Sequence, residues 1–364
     1  MAILLSLTAC KNTTNENNNK QIVSSLELKY ANQFSVDYYE EGYVHIHIEG
    51  EDEYVIIPEG KKEDKLGFDK VTFIYENPEN IYLAATSVID LFETIDSLDK
   101  VMATGKESKD YTSEAIIQRI NDGQIKNVGK YSAPDYEILV NEACDLAIES
   151  TMIYHNPKIK EQLERIGIPV LVERSSYESN PLGRLEWIKL YGVLTGKEEL
   201  ASEYFDSQCK IIEDLSKDYK DETNKKTVVC FYISSKGYVN VRKPGDYITK
   251  MIEIAGGEYA LKDIEFKDDN SLSTVNINWE EFYKNAVDAD IIIYNSTIDG
   301  GMNSLEDLIN RNELFKDFKA VKNNDVWCTN LNMYQESSKI AEITKDFNKI
   351  LMGEDEVTYL YRLK

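Results

Sequence analysis

The stretch KEELASEYFDSQCKIIEDLSKDYKD, residues 197–221, predicts one long helix around which the rest of the chain is interpreted. Apolar residues recur in it at spacings of three and four, and neither Pro nor Gly interrupts it. At about 1.5 Å per residue the helix would span roughly 35 Å, close to the diameter of a small domain. A surface helix packed on a single domain shows the same periodicity. The flanking segments therefore decide whether this helix connects two lobes.

On the N-terminal side of the helix, short apolar runs that predict buried strands alternate with helical patterns. This alternation is typical of a parallel sheet covered by helices on both faces. The predicted strands are residues 80–85, 100–105, 145–149 and 168–173, and the predicted helices are residues 88–98, 114–120, 134–143 and 157–166.

The same alternation returns on the C-terminal side. The segments EILVNEACDLAIES (137–150) and EFYKNAVDADIIIYNS (281–296) share one layout, a helix followed by an acidic residue and an apolar strand. The predicted strands here are residues 227–233, 289–294 and 325–329, and the predicted helices are residues 246–255, 279–287, 304–315 and 337–351. We therefore expect two α/β lobes with parallel sheets, joined by a single long helix.

The alternating pattern of residues 24–58 predicts a β-meander with turns at Glu41-Gly42 and Glu49-Gly50. His45 and His47 would lie on one strand face, either as metal ligands or as a cross-strand surface pair. The predicted division is 1–23 as a signal remnant and tether, 24–196 as the first lobe, 197–222 as the linking helix and 223–364 as the second lobe.

Composition excludes several classes of function. With 42% hydrophobic and 29% charged residues, the 364-residue chain has the composition of a globular protein with room for two cores. A formal net charge of −24 argues against nucleic acid or an anionic membrane surface as a partner. The remaining cysteines lie singly in apolar segments without metal-like spacing, so we expect buried free thiols at Cys144, Cys209, Cys230 and Cys328.

The first ten residues, MAILLSLTAC, end like a bacterial lipoprotein signal, with small residues before Cys10. The polar, Asn-rich tract KNTTNENNNKQ (11–21) that follows suits a flexible tether. No later stretch approaches the ~18 consecutive apolar residues of a membrane-spanning helix. We therefore expect a protein held outside the cytoplasm at the cell membrane by a lipid on Cys10.

Five phrases of the sequence, in order, carry a family resemblance. They are IYLAATSVIDLFETIDSLDKVMATG, KYSAPDYEILVNEACDLAI, LERIGIPVLVERSSYESNPLGRLEWIKLYGVLTGKEELASEYF, KPGDYITKMIEIAGGEYAL and FKAVKNNDVWCTN. Together with Cys10, these phrases resemble the substrate-binding lipoproteins of bacterial ABC importers for iron–siderophore complexes, haem and vitamin B12. The resemblance covers roughly residues 24–351.

The resemblance implies two Rossmann-like lobes that hold a ligand in the shallow cleft between them. It also implies a monomer that delivers its ligand to the permease subunits of an importer. The long linking helix predicts that the two lobes close little on binding. An exposed carboxylate on each lobe would meet the permease, and Glu137 and Asp246 occupy matching positions. Either residue could instead be a helix N-terminal acid favoured by the helix dipole.

In open parallel sheets the ligand lies beyond the carboxyl ends of the strands. Arg suits anionic chelates because its fork binds oxyanions bidentately, and Tyr can stack on planar ligands. The candidate ligand contacts are Ser87, Tyr131, Met152, Arg174, Tyr177 and Arg184 in the first lobe, and Tyr232, Arg242, Tyr247, Asn295 and Tyr334 in the second.

Each candidate also has a structural alternative. Arg174 and Arg184 bracket Glu178 and precede Glu186, so either could form an ion pair within the fold. Tyrosines at strand ends often belong to the packing. Arg242 is the preferred charged contact because it follows the aromatic, Gly-containing loop Ser235–Tyr238.

The sequence gives less support to other functions. There is no phosphate loop, GxGxxG, GxSxG or CxxC, and the three histidines supply neither a zinc hydrolase nor a Ser–His triad, so no enzyme and no cofactor are expected. A free metal-ion binder would need several His from both lobes. A surface lipoprotein without a transport role is the remaining alternative. Among complexed ligands a ferric siderophore leads, with cobalamin and haem as alternatives.

Overall fold

The computed structural model describes residues 20–51, 53–218, 225–265, 273–298 and 300–364. Three sheets organise these residues: an N-terminal sheet and one sheet in each of the two lobes. Cys10 and the predicted tether lie outside the described residues, and so do residues 219–221 of the predicted long helix. Among the described helices, none has the length and apolar character needed to cross a bilayer.

The N-terminal sheet contains β1 (Ile22–Ser25), β2 (Phe34–Tyr39), β3 (Val44–Ile48), β4 (Glu53–Ile57) and β5 (Val71–Tyr75), in that spatial order. The first four strands are antiparallel, which confirms the meander. The fifth strand, which the sequence analysis did not predict, adds to β4 in parallel.

The two faces of this sheet differ. Ile46 and Ile48 face the main core, while Val55 and Ile57 belong to a second, smaller core. Glu53, at the start of β4, contacts the imidazole rings of both His45 and His47.

The first lobe has a five-stranded parallel sheet with strand order β10-β9-β6-β7-β8. Its elements confirm the predicted alternation. They are β6 (Ile81–Leu83), α1 (Ile89–Thr94), β7 (Val101–Thr104), α2 (Glu114–Asn121), β8 (Lys126–Asn127), α3 (Tyr136–Asn141), β9 (Leu146–Ser150), α4 (Pro157–Arg165) and β10 (Val170–Glu173).

Two helices follow, α5 (Pro181–Thr195) and α6 (Glu198–Asp218), with Gly196 in the left-handed conformation between them (φ 67°). α6 is the long helix predicted from the sequence, and it buries Ala201, Phe205 and Ile212 on one face. The sequence analysis did not predict α5, of which all residues except Arg184 and Val193 are buried. The two helices pack closely, because a Cβ on Gly192 would lie 2.8 Å from the Cβ of Ala201.

The second lobe has a mixed sheet with the order β14-β12-β11-β15-β16-β17, and β13 pairs with β11. β11, β15 and β16 are the predicted parallel core, whereas β12, β14 and β17 join antiparallel. The elements are β11 (Thr227–Ile233), β12 (Val239–Arg242), α7 (Tyr247–Ile254), β13 (Glu258–Tyr259), β14 (Thr274–Ile277), α8 (Trp279–Ala286), β15 (Ile291–Tyr294), α9 (Leu305–Arg311), α10 (Lys319–Lys322), β16 (Val326–Thr329), α11 (Ile340–Met352) and β17 (Leu360–Arg362).

The predicted fold class is therefore confirmed: an α/β fold with two helix-covered sheets and an N-terminal meander. Cys144, Cys209, Cys230 and Cys328 are free and buried, as expected. The exact domain boundaries stay a prediction.

Candidate functional site

The loops after the parallel strands carry exposed apolar side chains. In the first lobe, Met152 and Tyr154 follow β9 and are 48% and 40% exposed. In the second lobe, Tyr238, Ile298 and Leu331 follow β11, β15 and β16 and are 53%, 58% and 44% exposed. Large apolar side chains left in water at the carboxyl ends of strands mark these loops as a surface suited to an apolar or planar ligand.

Between the lobes, two arginines meet two tyrosines and one carboxylate. We call Arg184, Arg242, Asp246, Tyr247 and Tyr334 the arginine cluster. The guanidinium Cζ of Arg184, on α5, lies 4.6 Å from the ring centroid of Tyr247, at the start of α7. Arg242, at the end of β12, places Nη1 3.5 Å from Asp246 Oδ2 and donates from Nη2 to the Tyr334 hydroxyl at 3.5 Å. Five side chains that the sequence analysis named separately thus form one group.

Burial shapes the electrostatics of the arginine cluster. The side chains of Arg242 and Asp246 are only 12% and 1% exposed. Although desolvation works against its charge, the Asp246 carboxylate keeps the pKa of Arg242 above its usual range. Desolvation also raises the pKa of Tyr334, so this hydroxyl stays protonated at neutral pH. With one carboxylate for two guanidinium groups, the cluster carries one net positive charge.

The side chains of the cluster fill their own space. The cavity lined by Arg184, Tyr247, Met333, Tyr334 and Ile340 has a volume of about 10 Å³, no more than one water molecule occupies. A solute therefore does not fit beneath these residues, and it would have to reach the guanidinium groups from the rim of the cleft.

Arg174, at the end of β10, lies in a separate group that includes the N-terminal sheet. Its Nη1 donates to the Tyr154 hydroxyl at 3.1 Å, and its Cζ lies 4.5 Å from the ring centroid of Tyr177. Tyr154 donates in turn to Glu51 Oε1 at 2.5 Å. Burial and the Glu51 carboxylate raise the pKa of Tyr154, so it remains a neutral donor. A cleft of about 530 Å³ opens beside Arg174 and Tyr177.

The alternative that Arg174 or Arg184 pairs with Glu178 or Glu186 is wrong. Both glutamates instead accept backbone N–H groups from the segment that joins β1 to β2. Glu178 accepts from Asn32 and Gln33 and from the Trp187 indole, and Glu186 accepts from residues 29–31 and from Lys189. Within the described ranges, no carboxylate lies within 4.0 Å of either arginine's guanidinium nitrogens.

The other predicted contacts are more scattered. Ser87, Tyr131 and Tyr232 are half-buried, and Tyr131 packs on the core beneath α3. Asn295 is buried, and its side-chain oxygen accepts from Thr297 Oγ1 at 2.7 Å and from Thr329 Oγ1 at 3.3 Å. The Asn295 oxygen therefore supports the loop after β15, and a ligand contact of this residue stays a prediction.

The two acids proposed for permease contact differ in exposure. Glu137 is exposed in the first turn of α3. Asp246 is buried, and its Oδ1 accepts from Ile248 N at 2.9 Å as the N-cap of α7. The expectation of an exposed carboxylate at Asp246 is not met, because the side chain caps a helix and faces Arg242.

The histidine pair on β3 has a carboxylate partner that sequence reasoning missed. Glu53, on the neighbouring strand, places Oε2 2.8 Å from His45 Nε2 and Oε1 3.1 Å from His47 Nδ1. The His45 ring also stacks on Phe68, with ring centroids 4.1 Å apart. A search of the described residues finds no group of three or more His, Cys, Asp or Glu side chains that could hold a metal ion.

Comparison with known families identifies the class of protein that this fold and this site define. The model of the family described as "Periplasmic binding protein" matches residues 84–330. The chain therefore belongs to the periplasmic binding protein family, whose members bind solutes rather than catalyse reactions.

Individual relatives agree with this assignment. An uncharacterized lipoprotein of Methanocaldococcus jannaschii is 28% identical over 309 residues, which cover 82% of this chain and 70% of that protein. A periplasmic haem-binding protein of Pseudomonas aeruginosa has a similar structure, with a TM-score of 0.62 at 13% identity over 79% of this chain and 98% of that one. The petrobactin-binding protein YclQ of Bacillus subtilis has a TM-score of 0.60 at 15% identity, over 76% and 93%.

Proposed function

We propose that this chain is an extracytoplasmic solute-binding protein that captures an anionic metal chelate of the ferric-siderophore type between its lobes. It is anchored through a lipid on Cys10, works as a monomer and delivers the solute to the permease subunits of an ABC importer. The observation that carries the ligand class is the arginine cluster, in which two guanidinium groups from different parts of the chain share one carboxylate.

The charge balance of the cluster favours an anion. Arg242 faces Asp246 at 3.5 Å, whereas Arg184 stacks on Tyr247 and interacts with the same carboxylate only at longer range, beyond 4.0 Å. One carboxylate for two partly desolvated guanidinium groups leaves a positive charge that an anionic ligand would compensate through charge-assisted hydrogen bonds. Phenolate, hydroxamate or carboxylate oxygens of a chelate are suitable acceptors for the fork of Arg184.

The exposed apolar loops support a ligand with a large non-polar face as well. A haem offers such a face together with two carboxylates, so haem is the second candidate, and cobalamin follows by shape. Haem iron would need an axial Tyr or His. Tyr154 and His155 follow β9 and are exposed, and because the Tyr154 hydroxyl is bonded to Glu51 and Arg174, His155 is the axial donor we propose.

A titration of intrinsic tryptophan fluorescence tests this proposal. The full chain carrying Cys10→Ser would be titrated with a ferric catecholate, a ferric hydroxamate, haemin and cyanocobalamin. We expect saturable 1:1 binding of one ferric chelate with a sub-micromolar Kd. Arg184→Gln should weaken that binding by about tenfold or more, the worth of one charge-assisted hydrogen bond.

Arg165→Gln is the matched control, because Arg165 is an exposed arginine on α4 that bonds only Gln162 among the described residues. Tight binding of haemin alone would replace the siderophore with the second candidate. Failure of all four solutes to bind would reject the proposed ligand class. Binding of free Zn²⁺ or Mn²⁺ in its place would favour the metal-ion importers.

A further inference from the structure

We propose that the N-terminal sheet and the end of β10 together form a carboxylate-binding subsite centred on Arg174. The subsite would hold a carboxylate arm of the solute beside the interlobe cleft. This inference deepens the proposed function, on which it rests for the identity of the whole solute. The turn between β3 and β4, residues 49–51, provides the wall of the subsite and lies outside the family-matched residues 84–330.

Three neighbours fix the guanidinium of Arg174 in one orientation. Tyr154 accepts from Nη1 at 3.1 Å, and the Tyr177 ring centroid lies 4.5 Å from Cζ. Gly50 lies against the group so closely that a Cβ there would be 3.1 Å from Nη1 and 3.6 Å from Cζ. A donor fork that is already oriented loses little rotamer entropy when it binds an oxyanion.

The hydroxyl of Tyr154 is itself oriented. It donates to Glu51 Oε1 at 2.5 Å, so its lone pairs face Arg174. Glu51 is held by Lys160, whose Nζ lies 2.8 Å from Oε2, and the Glu51 side chain is only 5% exposed. The turn of the N-terminal sheet therefore positions Tyr154, and Tyr154 positions Arg174.

Among the described residues, no carboxylate contacts the guanidinium of Arg174 directly: Glu51 lies beyond the Tyr154 hydroxyl, and Glu49 lines the adjoining cleft. In the described part of the chain, the guanidinium nitrogens of Arg174 have no carboxylate within 4.0 Å. Nη1 donates to the neutral hydroxyl of Tyr154. Its Nε is shielded from solvent and has no acceptor among the described residues. Arg174 is half-buried, and an oriented guanidinium without a direct carboxylate contact beside an open cleft is suited to bind an anion supplied from outside.

The adjoining cleft of about 530 Å³ has room for a small carboxylate arm. It is lined by Asn32, Gln33, Glu49, Gly50, Arg174 and Tyr177. Glu49 is exposed, its Oε1 lies 3.6 Å from His47 Nε2, and its charge repels an anion and favours the Arg174 side of the cleft. Removing that charge should strengthen binding, which gives the proposal a test of opposite sign.

Succinate is the probe, and succinamide is its neutral control of similar shape. The full chain carrying Cys10→Ser would be titrated while the arginine Nε–H signals are followed by NMR, with the Arg174 signal assigned from its loss in Arg174→Gln. We expect succinate to shift the Arg174 signal saturably, and succinamide to leave it unchanged. Calorimetry of the same titrations gives Kd for variants that lack the signal.

Arg174→Gln should weaken succinate binding by about tenfold or more, and Arg165→Gln should leave it unchanged. Glu49→Gln should tighten binding about two- to fivefold, as the loss of one exposed charge pair implies. Equal Kd values for wild type and Arg174→Gln, or equal weakening by Arg165→Gln, would overturn the subsite. If Arg174→Gln unfolds, Glu49→Gln decides instead: succinate binding that is unchanged or weaker than in the wild type would overturn the subsite.

Failure of this inference is distinguishable from failure of the proposed function. Succinate binding that depends on Arg174, in a protein that binds no chelate, would keep the subsite and reject the proposed ligand class. Chelate binding that depends on Arg184, with succinate insensitive to Arg174→Gln, would reject the subsite and keep the proposed function.

Discussion

Glu186 is a buried charge whose removal should strongly destabilise this fold. It lies on α5 with 0% exposure and accepts from the backbone of the segment between β1 and β2. Lys29 N lies 2.9 Å from Oε1, and Tyr30 N and Ala31 N lie 2.8 and 2.9 Å from Oε2. The ammonium of Lys189 donates to Oε1 at 2.8 Å. One carboxylate thus attaches the N-terminal sheet to α5, of which nearly all residues are buried.

Glu186→Gln keeps the shape of the side chain and exchanges one acceptor oxygen for an NH₂ donor. With its oxygen in the place of Oε2, the amide keeps the bonds from Tyr30 N and Ala31 N and the 3.0 Å contact of Lys29 N, but it turns its NH₂ towards Lys189 Nζ and loses the Oε1 contact of Lys29 N. Each lost hydrogen bond to a charged acceptor is worth about 1.5–3 kcal/mol. Lys189, 7% exposed, also loses the carboxylate that balances its charge. We expect a loss of about 3–5 kcal/mol in the free energy of unfolding.

Urea unfolding and amide hydrogen exchange measure this effect together. Because separate parts of the chain can unfold independently, exchange at residues 29–31 reports the local loss and urea reports the larger unit. Glu199→Gln, on the exposed surface of α6, is the control and should change stability by less than about 0.5 kcal/mol. Adding Lys189→Met to Glu186→Gln should recover part of the loss, because it removes the unpaired buried ammonium.

A loss below about 1 kcal/mol in Glu186→Gln, with unchanged exchange at residues 29–31, would refute this reasoning. It would mean that the backbone N–H groups of the segment find other acceptors when the carboxylate is absent. A double variant less stable than Glu186→Gln alone would contradict the role assigned to Lys189.

Other predictions concern pH, the thiols and the contact between the lobes. Glu149 is buried with both oxygens unpartnered among the described residues, and burial raises its pKa to about 8. The folded state therefore binds the proton more tightly than the unfolded state, so stability present at low pH is lost as pH rises towards 8. Glu149→Gln should remove a slope of about 1.4 kcal/mol per pH unit from urea unfolding between pH 5.5 and 7.5, and equal slopes would contradict this. The four described cysteines are buried, and burial raises the pKa of Cys230 to about 11, so a thiol reagent at pH 8 should react with them only in urea. Fast reaction of the folded protein would contradict their burial. Gln335 accepts from Thr112 N at 3.1 Å and donates to Asp110 O at 2.6 Å. Gln335→Ala should therefore accelerate hydrogen exchange at Thr112. Unchanged exchange would mean that these two hydrogen bonds do not protect Thr112.

The sequence predicted the elements that have a clear period. α6 shows an apolar stripe at helical spacing because one face packs and the other meets water. α5 has the sequence PLGRLEWIKLYGVLT and is buried on nearly all sides, so its apolar residues form no stripe that could be recognised. Short strands such as β5 and β14 owe their conformation to neighbouring strands, and their own residues indicate it weakly.

The site was predicted by residue type and not by arrangement. Arg184 and Tyr247 were both expected at the cleft, but 63 residues separate them in the chain, and no local pattern shows that they stack. The bond between Tyr154 and Glu51 joins positions 103 residues apart. For Asp246 the sequence left two roles open, permease contact and helix N-terminal acid; the structure confirms the second, and Arg242, four residues earlier, faces the carboxylate. Turns and helix caps depend on neighbouring residues and can therefore be predicted from the sequence. Side-chain contacts between the two lobes depend on the folded chain and cannot.

The central claim, that a solute binds between the two lobes, is tested most directly by hydrogen exchange with and without a bound chelate. The full chain carrying Cys10→Ser would be compared free and saturated with the tightest binder of the four-solute series. We expect the bound chelate to protect backbone amides in both lobes at once, around Arg184 before the long helix and around Tyr334 after β16. Protection in one lobe alone, or at neither of these segments, would contradict it.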